Sequence, residues 1–190
     1  MQRHSAFAAL ALLLVSGSAY AHPGHGTGLL AGLIHPFTGF DHMLAMVAVG
    51  LWAAQQKEPG AIWKIPLAFV ATMMLGGALG ESGLALPHVE SGIAASVLIL
   101  GLLVASAMRL PTAVAMAVVA VFALFHGYAH GSEMPISASL GAFAAGFALS
   151  TATLHGIGMS IGYVMRNKAD IILRLAGLSV AVAGAWLAVN

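Results

Sequence analysis

Two stretches of an otherwise apolar chain set imidazoles and carboxylates at helical spacing. The first is His35-Pro36-Phe37-Thr38-Gly39-Phe40-Asp41-His42, and the second is Phe125-His126-Gly127-Tyr128-Ala129-His130-Gly131-Ser132-Glu133. His126 and His130 are i,i+4, so on a helix their rings point to one side and can share an ion. Glu133 extends that face if the helix continues. The geometry matches the two-histidine helical metal motif, though not the position of its catalytic glutamate. His35 and His42 would share a helical face about two turns apart. Pro36 offers a different arrangement. It disfavours helix at His35 and suits the first residue of a helix, which would leave His35 in a leading loop and Asp41 one to two turns down. His155, with Met159 one turn below it, adds a candidate deeper in its own segment.

These groups suit a divalent transition metal. The chain has no cysteine, so the donors are nitrogen and oxygen, which fit nickel, cobalt, zinc and copper(II) rather than copper(I) or iron–sulfur clusters. A ligating imidazole needs its second nitrogen held by an acceptor. Asp41 serves either as a ligand or as that acceptor. Blander readings stand beside these. His155 alone reads equally as a hydrogen-bonded core residue, Asp41 with His42 as an interhelical polar clamp, and the ten methionines as apolar packing. His22, His25 and a new α-amine at residue 22 form either an external capture site or a frayed, solvated terminus. They do not make the usual amino-terminal copper/nickel clamp, because the histidines are first and fourth and Pro23 removes an amide. His88 reads as an ordinary loop residue, and Glu81 and Glu90 are left without a role.

The elements that must position these residues are membrane helices. The chain is 60% hydrophobic and 7% charged, far below the charge of soluble domains. A formal charge of +1 and the lack of basic runs give no sign of nucleic-acid binding. Residues 1–21 read as a cleaved signal peptide, with Arg3, an apolar core from Ala6 to Val15, and small residues before a cut after Ala21. Residues 22–190 then form one domain. A span needs about 20 mostly apolar residues, and six fit, over roughly 29–54, 62–81, 90–108, 112–130, 136–164 and 170–189. The expected fold is all-α, a polytopic transmembrane helical bundle of six spans after a cleaved signal peptide. Gly28/Gly32, Gly76/Gly80 and Gly158/Gly162 have the spacing of close helix packing.

Orientation follows from charge. With the mature N-terminus outside, Lys57, Lys64, Arg109, Arg166, Lys168 and Arg174 all face the cytoplasm, while the outer loops hold Glu81, Glu90 and Glu133. The positive-inside rule is obeyed throughout. The expected location is a bacterial inner membrane, with both mature termini periplasmic and the histidine clusters in the outer half of the bilayer. An aspartate at the bilayer centre costs roughly 2.5–3.5 kcal/mol, so Asp41 should face a cavity or a partner.

On these motifs the sequence resembles the HupE/UreJ family of hydrogenase and urease accessory membrane proteins. The matching elements are the leader ending before His22-Pro23-Gly24-His25, the segment from His35 to His42, and the segment from Phe125 to Glu133. The resemblance covers essentially the whole chain. It implies uptake of nickel, with cobalt as the other metal assigned to such relatives, and it implies importance for the His, Asp and Glu residues of both motifs. The metal is cargo rather than cofactor, and the protein is then not an enzyme. Two rivals remain: an intramembrane zinc hydrolase, with Ser150, Thr151 and Thr153 near His155 as polar groups, and a sensor or structural subunit that binds metal without passing it.

Overall fold

The computed structural model describes residues 28–134, 139–165 and 170–190. The expected signal peptide, and His22 and His25 after it, lie outside the described residues. Those described form seven α-helices and no strand. They are α1 (Gly28–Ile34), α2 (Phe40–Gln55), α3 (Ala61–Glu81), α4 (Val89–Ser106), α5 (Thr112–Ser132), α6 (Leu140–Met165) and α7 (Asp170–Leu187), with a 3-10 turn at His35–Phe37 between the first two. Helices α3 to α7 are each long and apolar enough to cross a membrane, and their bounds fall within a few residues of the hydropathy reading. The chain is a multi-pass membrane protein.

The first expected span, 29–54, is not one straight helix. Its two halves meet at a bend of 80°. Pro36 lies inside the 3-10 turn instead of opening the long helix. The turn is closed by Thr38, whose amide and hydroxyl both donate to the His35 carbonyl, at 3.0 and 2.7 Å. Gly39 is extended (φ −99°, ψ 115°) and starts α2 afresh. His35 and His42 therefore do not share one helical face, and His35 opens the turn rather than a loop. The 16 residues of α2 span only about 24 Å, short of a bilayer's hydrocarbon thickness of about 30 Å.

Three helix pairs dominate the packing: α3 with α5, α4 with α7, and α2 with α6. Lipid supplies no hydrophobic drive between helices, so close backbone approach at small residues has to hold them. On α3, Gly76 and Gly80 press against the Leu124 and Tyr128 carbonyls of α5, and Gly127 and Gly131 of α5 press back on the carbonyls of Met73 and Gly77. Gly50 of α2 and Gly158 of α6 meet similarly, and Gly32 seats α1 on Phe143. With Gly127 and Gly131 flush on α3, His126 and His130 project beside that contact into the bundle.

The described Lys and Arg residues gather at one end, with Glu58 and Asp170 among them. The C-terminus of α2 is tied to the turn between α4 and α5. Trp52 Nε1 donates to the Met108 carbonyl at 2.8 Å, Gln55 Nε2 to Val104 at 3.1 Å, and Arg109 Nε to the Gln55 carbonyl at 3.2 Å. Glu58 accepts from the Thr112 amide at 3.0 Å and from its hydroxyl, which holds the carboxyl below its ordinary range. Lys57 and Arg109 share a pocket at this end with Asp170, which pairs with Arg174 at 2.7 Å. The opposite end carries His35, Asp41, Glu90 and Glu133 around a second pocket.

Candidate metal centre

The site begins at the mouth of that second pocket, an opening of about 220 Å³. His35 of the 3-10 turn faces the C-terminal end of α5. Its Nε2 lies 3.4 Å from Glu133 Oε2, and its ring centroid is 4.6 Å from that of His130. One ligand atom from each of His35, His130 and Glu133 falls within 4.8 Å of the others. Glu133 is exposed and His130 almost fully buried, so the trio grades from solvent into the protein. Glu90, in the first turn of α4, lines the same mouth.

His42 links the mouth to the interior. Its ring is 4.1 Å from that of His130 and 4.7 Å from that of His126. Asp41 Oδ1 accepts from both the Nδ1 and the backbone amide of His42, at 2.9 and 2.8 Å. Nδ1 thus carries the proton and Nε2 the lone pair, which is the form a ligating imidazole needs. Asp41 Oδ1 is thereby engaged as the acceptor for His42. Gly39 makes room for the pair: a Cβ there would sit 2.9 Å from both Asp41 Oδ1 and His42 Nδ1.

Below this, His126 is fully buried. Its Nε2 lies 2.7 Å from the hydroxyl of Ser96 on α4. His155 is equally buried but does not join the other rings. The Phe69 ring packs against both, 5.8 Å from His126 and 5.1 Å from His155. The three hydroxyls near His155 in sequence are committed elsewhere. Ser150 donates to the Leu33 carbonyl at 2.6 Å, Thr153 to Leu149 at 2.8 Å, and Thr151 to Met73 Sδ at 3.6 Å.

The structure therefore gathers His35, Asp41, His42, His126, His130 and Glu133 into one continuous cluster from two chain segments, 35–42 and 126–133, while the His155 ring packs against Phe69. In the cluster, His42 Nε2, His126 Nδ1 and both nitrogens of His130 are buried with no hydrogen-bond partner, and so are both nitrogens of His155 outside it. Buried polar atoms nearly always have one, and an unsatisfied group costs about 1–3 kcal/mol. A chain of such nitrogens is chemically suited to a cation that accepts lone pairs. Ser96, Phe69 and Glu90 were not assigned from sequence. Ser96 had a faint signal as the one hydroxyl in the apolar run from Gly92 to Ala105, and Glu90 as an acid next to a span.

A helical, multi-pass membrane protein with a histidine–carboxylate cluster between its helices is the class these features define. The chain belongs to the HupE/UreJ family, whose model, described as HupE / UreJ protein, matches residues 10–187. It is 48% identical over 183 residues to the protein named Protein HupE from Rhizobium leguminosarum bv. viciae, covering 95% of each chain. No solved structure matches.

Proposed function

We propose that this protein is a facilitated transporter that takes up divalent nickel across a bacterial inner membrane to supply nickel enzymes such as hydrogenase or urease, with cobalt accepted by the same donors. Six spans after a cleaved leader, with the basic end cytoplasmic, make the histidine end periplasmic, along with both mature termini. The bent pair α1 and α2 counts as the first span. His22 and His25 act as an external capture site.

The observation that carries this reading is the file of partnerless imidazole nitrogens running inward from the mouth. A divalent ion enters between His35, Glu133 and His130, passes to His42 Nε2 and His126 Nδ1, and reaches His155 once Phe69 gives way. Nitrogen and oxygen donors without thiolate favour nickel or cobalt over copper(I). Energy comes from the membrane potential. A divalent ion gains about 4.6 kcal/mol per 100 mV of inside-negative potential, on the order of a thousandfold accumulation. Uptake of radioactive nickel into metal-starved cells tests the reading, with unlabelled nickel, cobalt and zinc as competitors. Strongest suppression by nickel supports a nickel permease, strongest suppression by cobalt changes the ion, and no uptake above cells lacking the protein overturns transport.

A further inference from the structure

We infer that Ser96 is a positioning residue that fixes His126 in the tautomer opposite to that of His42, so that two unlike nitrogens, His42 Nε2 and His126 Nδ1, present lone pairs to one ion. The inference rests on the metal-transport reading and adds the rule by which the inner pair of ligands is set.

The geometry is local and closed. Ser96 is fully buried in the middle of α4. Its hydroxyl donates to the Ile93 carbonyl at 2.6 Å, which uses its single proton. The same oxygen lies 2.7 Å from His126 Nε2, and with its proton committed it can only accept there. His126 therefore carries its proton on Nε2 and its lone pair on Nδ1, and Nδ1 is buried without a partner. On His42 the carboxylate of Asp41, 2.9 Å from Nδ1, imposes the reverse. The two rings are 4.7 Å apart and perpendicular. Without the Ser96 oxygen, His126 Nε2 would lose its acceptor, the two tautomers would become comparable, and Nδ1 would be a lone pair only part of the time. A helix serine bonded to its own backbone is ordinarily a packing device. Here the second lone pair of the oxygen is put to use across the helix interface.

The experiment uses the full-length protein in lipid bilayers with ¹⁵N-labelled histidine. The His126 ring signals are identified by difference against His126→Gln, and Ni²⁺ binding is titrated in parallel. In metal-free protein, ring nitrogen shifts are expected to report Nε2–H for His126 and Nδ1–H for His42. Ser96→Ala should give a mixture at His126 and weaken Ni²⁺ binding by about 10–100-fold, the usual cost of losing a ligand's supporting partner. Ser96→Thr, which keeps the hydroxyl, should recover both. Finding His126 as Nδ1–H in the unsubstituted protein overturns the inference, and so does Ser96→Ala binding Ni²⁺ as tightly as the parent. The spectrum of the parent decides the matter even if Ser96→Ala fails to insert. If the parent binds no Ni²⁺ at all, the transport reading falls while the tautomer assignment is still decided by the spectrum.

Discussion

The imidazoles of His42 on α2 and His130 on α5 lie with ring centroids 4.1 Å apart, and His42 Nε2 and both nitrogens of His130 have no hydrogen-bond partner. Two polar rings packed this closely, far apart in sequence and not bonded to each other, are a poor way to stabilise a bundle. They are a good way to hold a shared cation. The relationship places His42 at the junction of the site, its ring beside both His130 of the mouth and the buried His126.

Asp41 acts through His42. Asp41→Asn keeps the shape but lets the amide offer a donor as well as an acceptor to Nδ1, so the tautomer is no longer fixed. Nickel affinity of the purified protein should fall by about 10–100-fold, while His42→Ala should remove measurable binding at the inner sites. Isothermal titration of the two variants checks this. Unchanged affinity in Asp41→Asn would mean that the 2.9 Å contact has no bearing on the metal.

Gly39→Ala should reproduce part of the same loss without touching a ligand. A Cβ at this position would lie 2.9 Å from both atoms of the Asp41–His42 hydrogen bond, so the pair must separate. We expect uptake reduced by about tenfold, the lower end of such effects, with normal amounts of protein in the membrane. Uptake at the parent's rate would show that the pair relaxes freely.

Packing predicts a change of sign between two glycines. In a helix interior Gly→Ala usually gains up to about 1 kcal/mol, and Gly156→Ala should do so, because nothing lies within 4 Å of its would-be Cβ. Gly127→Ala should instead destabilise by about 1–3 kcal/mol, because the methyl would overlap the Met73 carbonyl on α3. Thermal unfolding in detergent should therefore move in opposite directions for the two variants.

Much of this could be read from the sequence because the bilayer imposes a length. Apolar stretches of about 20 residues stand out, and five of the six expected spans are single helices within a few residues of their hydropathy bounds. The first carries an 80° bend within 29–54, which was not legible because it depends on how Pro36, Thr38 and Gly39 act together. His126 and His130 were legible from i,i+4 spacing, and both histidine motifs were expected in the same half of the bilayer, but which of their side chains touch was not legible. Phe69 and Ser96 were not legible. A phenylalanine in a span is indistinguishable from lipid-facing or core packing. The partner of Ser96 is 30 residues away and can be found only once α4 and α5 are side by side.

The most direct test of the central claim is nickel flux into liposomes containing the purified protein or its His42→Ala form, under an imposed inside-negative potential. The account predicts influx that rises with the potential, needs no nucleotide, and is lost in His42→Ala. Nickel bound without flux in the unsubstituted protein, or flux that survives His42→Ala, would contradict it.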